Sequence, residues 1–340
     1  MDDNNLIEQT PESDNTSETM KPSYVDVSDV VDFSYGIMAE LHKVIIGLDE
    51  TIKFLIVGLL THGHILLEGV PGIAKTLLAK LIANILDIDF KRIQFTPDLM
   101  PSDVLGTTVY NMKSSSFYFR KGPVFSNIIL ADEINRAPAK TQAALFEVME
   151  ERQITIDGET YPMNYPLFVI ATQNPIEQEG TYRLPEAQLD RFLFRLKIGY
   201  PSMEAENRIL TRFKDDFFNK TEQVVNKIYK AEDLMKYTSN CEKVYIKEEL
   251  IEYIAQIIQN TRNNSNLFLG ASPRASIAVL RTSKVLAAIN GRDFVTPDDI
   301  QNVLIPVLNH RIILTPEREI EGIEIEDVIR EIIQKIEVPR

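Results

Sequence analysis

The chain has 340 residues, 44% of them hydrophobic and 25% charged, with a formal net charge of −14. That length exceeds one ordinary domain, and the composition is that of a globular protein with ample material for a core. An acidic surface repels phosphate backbones and so argues against general nucleic-acid binding, although a local basic strip would survive it, and the lone Cys241 permits no internal disulfide.

Residues 1–24 are rich in Asp, Glu, Asn, Ser and Thr, with no Lys or Arg before Lys21. Such a segment buries too little to offset its ordering entropy, and a disordered acidic tail is expected. Residues 25–200 alternate short apolar runs with helical stretches, the α/β pattern. His64–Glu68 reads as a buried strand, followed by a helix with Leu77, Leu78, Leu81, Ile82 and Ile85 at helical spacing. Further strands are expected at Arg92–Phe95, Asn127–Ala131, Leu167–Thr172 and Phe192–Ile198, the third and fourth of the set apolar enough to be covered on both faces. Two hairpins are predicted within this region. Thr107–Phe125 alternates Val109, Phe117 and Phe119 with polar residues around Lys113–Ser116, and Gln153–Met163 pairs Ile154 and Ile156 with Tyr161 across Asp157-Gly158. Beyond Pro201 the strands largely stop. Helices are predicted over 247–262, from Pro273 to Asn290-Gly291, and after the Thr296-Pro297-Asp298-Asp299 start signal. Residues 201–340 therefore read as a smaller α-helical unit.

Gly69-Val70-Pro71-Gly72-Ile73-Ala74-Lys75-Thr76-Leu77 joins the first strand to its helix. Backbone N–H groups of such a turn point inward and cradle phosphate oxygens, helped by the positive helix N-terminus. Lys75 would reach the β- and γ-phosphates, and the Thr76 hydroxyl would hold Mg²⁺. Ala74 stands where the usual phosphate-loop pattern carries a third glycine. Because alanine tolerates only negative φ comfortably, the loop is expected to approach phosphate without a left-handed residue there.

Ile128–Ala131 ends in Asp132 and Glu133, two carboxylates that are costly at the end of a buried strand unless a cation or water needs them. In an ATPase Asp132 would serve the Mg²⁺ shell and Glu133 would activate the attacking water; alternatively the pair simply opens a polar loop. Asn174, after another apolar strand, would orient that water or act as a turn residue before Pro175. Arg191 would enter a neighbour's site as an arginine finger, or else ion-pair with Asp190 at the surface. Arg274, opening a helix after Pro273, would touch the γ-phosphate or pack across the domain junction. His42, His62, His64 and His310 are too scattered for a zinc site, and His310-Arg311 suits a helix C-terminus.

At these residues the chain resembles the MoxR family of AAA+ ATPases. The resemblance is carried by GVPGIAKT with its Ala before Lys, by Arg92–Asp103, Phe119–Phe125, Ala131–Ala137 and Ala171–Pro175. It continues through Leu184–Phe192, Gly270–Ala275 and His310-Arg311, and spans roughly residues 28–315. It implies a P-loop αβα sandwich with a mainly parallel sheet, a small α-helical lid, and ATP with Mg²⁺ at the interfaces of a ring, usually a hexamer. By that likeness Lys75 and Thr76 belong to Walker A and Asp132 and Glu133 to Walker B. Asn174 matches sensor 1, Arg191 the arginine finger and Arg274 sensor 2, with the last free to act on either subunit's nucleotide. The two hairpins would lie near the ring's pore and grip a client, or only pack within the ring.

The function this implies is ATP-driven, chaperone-like remodelling of partner proteins, often ones bearing a von Willebrand factor A domain. The motor subunit of a metal-chelatase-like complex and a nucleotide-gated scaffold are the alternatives. No apolar run approaches the ~18–20 residues of a membrane span, and the N-terminus lacks a signal peptide's basic start and apolar stretch. No nucleic-acid partner and no direct membrane insertion are expected, and the expected address is cytoplasmic, with membrane association only through a partner.

Overall fold

The computed structural model describes residues 25–175, 181–214 and 224–339; the acidic tail expected over residues 1–24 lies outside them. Two helices that the alternating pattern does not announce, α1 (Ser28–His42) and α2 (Asp49–Leu60), precede the first strand. There follow β1 (His64–Gly69), α3 (Lys75–Ile85), β2 (Phe90–Gln94), α4 (Pro101–Leu105), β3 (Gly106–Asn111), β4 (Ser116–Lys121) and β5 (Ile128–Asp132). A 3₁₀ turn (Ile134–Arg136) leads to α5 (Ala139–Glu151), β6 (Gln153–Ile156), β7 (Glu159–Pro162), β8 (Phe168–Gln173), α6 (Glu186–Leu189) and β9 (Phe192–Ile198). The remainder is nearly all helical: α7 (Met203–Phe213), α8 (Ala231–Glu242), α9 (Glu248–Arg262), α10 (Pro273–Ile289), α11 (Pro297–Leu308), α12 (Pro316–Ile320) and α13 (Ile325–Lys335). The exceptions are two short strands, β10 (Leu267–Leu269) and β11 (Ile313–Leu314), which pair antiparallel.

The main sheet is five-stranded in the order β2-β5-β8-β1-β9, and every pairing in it is parallel. Strand periodicity sorts its side chains onto two faces. Ile65, Leu67, Ile128, Leu130, Phe168 and Ile170 join one core with α1, α2, α3 and the C-terminal helices. Leu66, Ile129, Ala131, Val169 and Ala171 join a second core against α5. Of the two strands expected to be central and covered on both faces, β8 is interior, whereas β9 is an edge strand of the sheet. The result is an αβα sandwich followed by a helical unit.

Two buried imidazoles tie the sheet to its surroundings. His64, at the head of β1, accepts from the Val169 N–H on Nδ1 at 3.1 Å and faces the Met149 carbonyl with Nε2 at 3.1 Å. That pairing requires the neutral tautomer protonated on Nε2, and burial pushes the pKa down to about 4. His310 and Arg311, expected to suit a helix C-terminus, follow the end of α11 and are buried against the sheet's edge strand. Asn309 Nδ2 donates to the Arg195 carbonyl at 3.0 Å, His310 Nε2 meets that of Phe192 at 2.9 Å, and Arg311 Nη1 donates to that of Leu193 at 3.0 Å. Carbonyls of β9 are thereby covered by the turn after α11, which answers the problem of an open sheet edge.

Candidate functional site

The turn between β1 and α3 has the conformation of an anion cradle. Gly72 lies at φ +86° with open space around the position a Cβ would take. Ala74 lies at φ 62°, ψ 19°, in the left-handed region. The expectation that alanine would dispense with that conformation is therefore corrected: the loop needs the left-handed turn, and Ala74 adopts it at a cost of about 1–2 kcal/mol. Such a cost persists where the surroundings enforce it, commonly at functional sites. No side chain caps α3, and no acid sits in its first turn, so its N-terminal N–H groups face the loop without a protein anion. Lys75 Nζ folds back to donate to the Gly69 carbonyl at 2.6 Å. Burial draws its pKa below the ordinary lysine value, against the opposing pull of Asp132, Glu133 and Glu68.

Beside this cradle lies a mainly apolar cavity of about 310 Å³, bounded by Val44–Leu48, Gly72–Ala74, Leu77, Gly199, Pro201 and the α7 residues Ile209 and Phe213. Leu77, expected from the sequence, is one wall of it. Sequence reading missed Val44–Leu48 and α7, since nothing in their local pattern marks them as neighbours of the loop.

Parallel pairing of β1, β5 and β8 brings Gly69, Asp132 and Gln173 to the same edge of the sheet, and Asn174 follows β8 there, buried. The two carboxylates are held by residues that motif reading did not single out. Thr172 Oγ1 donates to Asp132 Oδ1 at 2.5 Å and accepts from the Glu133 N–H at 2.9 Å. Arg92 reaches Asp132 Oδ2 from β2 with Nε at 2.9 Å and Nη2 at 2.6 Å, and its Nη2 also donates to Gln94 Oε1 at 2.6 Å. Gln94 Nε2 then donates to Glu133 Oε2 at 2.7 Å, and Arg136 approaches that same oxygen at 3.4 Å. Glu133 takes φ 56°, a second left-handed non-glycine residue at this edge. The i, i+2 spacing of Arg92 and Gln94 on a strand was the one signal available for them. The Asp132 carboxylate is thus held by Arg92 and Thr172 at the end of the sheet that carries the phosphate loop. Oxygen donors such as it and the Thr76 hydroxyl are of the type that could hold a hard divalent ion.

Arg191 and Arg274 are elsewhere. Phe192 opposes His64 and Ile198 opposes Gly69, so Arg191 stands at the opposite edge of the sheet from the phosphate loop, about 20 Å along β9. Arg274, at the start of α10, joins it there. Both arginines contact Glu150 near the end of α5, Arg191 through Nη1 and Arg274 through Nη2. Arg191 Nη1 also donates to the Phe146 carbonyl at 3.2 Å. Asp190, the partner suggested for Arg191, instead receives Arg311 Nε at 2.8 Å and lies 3.8 Å from Arg274 Nη1. The phosphate loop with its carboxylates and the pair Arg191 and Arg274 therefore lie at opposite ends of the sheet's strands.

The two hairpins form with the expected pairing, Ile154 opposite Tyr161 across Asp157 and Gly158, both at positive φ. They pack on each other through Phe119 and Tyr161, whose rings lie 4.6 Å apart, and through Thr108 Oγ1 donating to Asp157 Oδ2 at 2.5 Å. The far end of β3–β4 leaves Met112 (85%) and Phe117 (72%) exposed. Among the described residues no helix is long and apolar enough to cross a membrane.

Comparison with known proteins places the same segments in a common frame. Residues 64–194 match the family described as "ATPase family associated with various cellular activities (AAA)", and residues 259–332 match the AAA lid domain. "Uncharacterized protein YeaC" of Bacillus subtilis is 46% identical over 300 residues, 88% of this chain and 92% of that protein. "Chaperone MoxR1" of Mycobacterium tuberculosis is 43% identical over 310 residues, 88% of this chain and 81% of its own length. A crystal structure of a candidate ATPase from Cytophaga hutchinsonii superposes with a TM-score of 0.85 at 44% identity, covering 92% of this chain and 97% of that one.

Proposed function

The chain belongs to the MoxR family of AAA+ ATPases, and we propose that it hydrolyses Mg-ATP between the subunits of a ring and uses the resulting motion to remodel a partner protein. The observation that carries this reading is the separation of its half-sites: phosphate loop and carboxylates at one edge of the sheet, Arg191 and Arg274 together at the other. A single bound nucleotide cannot meet both sets. Head-to-tail packing of copies joins them, and such packing closes into a ring when the rotation from copy to copy divides a full turn.

In this reading the N–H groups of Gly69–Leu77 and the Lys75 ammonium bind the phosphates, and the apolar cavity beside Leu77 takes the base. Thr76 and Asp132 would hold Mg²⁺, which when bound neutralises charge on the β- and γ-phosphate oxygens. Arg92 then yields its place on Asp132. Glu133 accepts a proton from the attacking water while the water oxygen bonds to the γ-phosphorus and the bond from phosphorus to the ADP oxygen breaks, with Asn174 orienting that water. Thr172 supports this step by fixing the Asp132 carboxylate and the Glu133 backbone at once. Arg191 and Arg274 reach the γ-phosphate of the adjoining subunit, where guanidinium stabilises the charge of the transition state. Because Arg274 opens a helix of the lid (residues 201–340), loss of the phosphate changes the contacts between that lid and the neighbouring core (residues 25–200).

The client is a protein bearing a von Willebrand factor A domain, gripped by the exposed end of β3–β4, and the address is cytoplasmic. Glu133→Gln tests the scheme: the variant is expected to retain Mg-ATP binding, lose hydrolysis, and retain its client during purification from native lysate. Wild-type protein with ADP is the control. A Glu133→Gln protein that turns over ATP at the wild-type rate would falsify the assignment, and failure to enrich any such client in the ATP state would remove that partner class.

A further inference from the structure

Arg191 and Arg274 share a single carboxylate, each meeting a different oxygen of Glu150. Glu150 belongs to the last turn of α5, where the helix dipole disfavours a negative charge, and no basic residue of α5 relieves it there. The relief comes instead from the two arginines, one brought by the start of β9 and the other by the start of α10. Asp190 nearby is already engaged by Arg311 at 2.8 Å and by the Ser272 hydroxyl at 3.3 and 3.2 Å. The surrounding cleft, about 310 Å³, also presents Arg152 and Arg281, so a polyanion entering it meets a positive field with Glu150 as the carboxylate in its way.

We infer that Glu150 is a positioning residue, a built-in counter-ion that occupies this arginine pair until the terminal phosphate of a neighbour's ATP displaces it. The inference rests on the reading that Arg191 and Arg274 act across a subunit boundary. Glu150 presents one negative charge to both guanidiniums, held in place by its own helix. A γ-phosphate presents more charge and more acceptor oxygens, so it wins the exchange, whereas ADP lacks the group that would reach the pair. The contact thereby sets how much ATP is needed for subunits to associate, and makes association sensitive to the γ-phosphate and not to nucleotide in general.

Sedimentation velocity on Glu133→Gln protein, titrated with Mg-ATP or Mg-ADP, reads this without turnover. Adding Glu150→Gln is expected to lower the ATP concentration for half-assembly about tenfold, in line with loss of a charged hydrogen-bonded competitor, while the ADP curve stays where it was. Glu150→Ala should act in the same direction, which separates the effect from any new contact made by the amide. An unchanged or raised ATP midpoint in both variants overturns the inference. Arg191→Ala and Arg274→Ala in the same background distinguish the two levels. If they assemble with ATP like their parent, the cross-subunit reading itself fails; if they lose assembly while the Glu150 variants match the parent, only the counter-ion role fails.

Discussion

If the catalytic site is divided between two opposite edges of the subunit, two inactive variants must repair one another. Glu133→Gln removes the base from the phosphate-loop edge but leaves Arg191 intact for a neighbour. Arg191→Ala removes the finger but leaves Lys75, Asp132 and Glu133 intact. Arg191 stands about 20 Å along β9 from Gly69, so no side chain bridges the two edges within one copy. An arginine finger is worth about 10³–10⁵ in rate, so each variant alone should be near background. Arg191→Ala weakens the ATP-driven contact between copies, so the mixture is assayed at protein concentrations high enough to form rings. With copies then drawn from equal amounts, an interface works when an Arg191→Ala copy holds the nucleotide and a Glu133→Gln copy supplies the finger. The two choices are independent in a head-to-tail ring, so about one quarter of interfaces are productive. Steady-state phosphate release from co-refolded or co-expressed mixtures should therefore reach about a quarter of the wild-type rate, far above either parent. Mixed assembly is verified by native mass spectrometry with one variant isotopically labelled. Mixed rings that release phosphate no faster than the mean of the two parents would refute the divided site.

Two further expectations follow from the interior. His64 has a folded-state pKa of about 4 against about 6.5 when unfolded, so the unfolded chain binds the extra proton as pH falls. Stability is therefore fully present above pH 6.5 and declines toward pH 4, by about 3 kcal/mol from this residue. Urea titrations at pH 7.5 and 5 should show a smaller drop for His64→Gln than for wild type; equal drops would exclude the buried neutral imidazole as a source. At the phosphate loop, Ala74→Gly relieves a left-handed alanine while adding chain entropy to the unfolded state, so stability should change by less than about 0.5 kcal/mol. Ala74→Val, β-branched at positive φ, should cost about 2 kcal/mol and weaken nucleotide binding. Urea midpoints and a fluorescent-nucleotide titration would measure both, and a valine variant as stable as wild type would argue against the left-handed turn.

Much of this protein is local chemistry, legible in order along the chain. Gly69–Thr76 between an apolar strand and an amphipathic helix, Asp132-Glu133 at the end of a continuous apolar run, and Asp157-Gly158 between short alternating strands each follow from neighbours a few residues apart. The parallel sheet follows as well, because alternating strands and helices leave few other ways to bury Ile128–Ala131 and Phe168–Ala171 on both faces. What the sequence withheld was partnership over long separations. Arg92 and Gln94 serve Asp132 and Glu133 because β2 pairs with β5, and Thr172 serves both because β8 lies on the other side. His310 and Arg311 cover an edge strand more than a hundred residues earlier in the chain. Ala74 was misjudged because residue type reports a preference for φ, whereas a closed loop between a fixed strand end and a fixed helix start dictates it. The same limit governs Arg191 and Arg274. Each is recognisable alone, but their convergence on Glu150, on the edge away from their own phosphate loop, exists only once α5, β9 and α10 have packed.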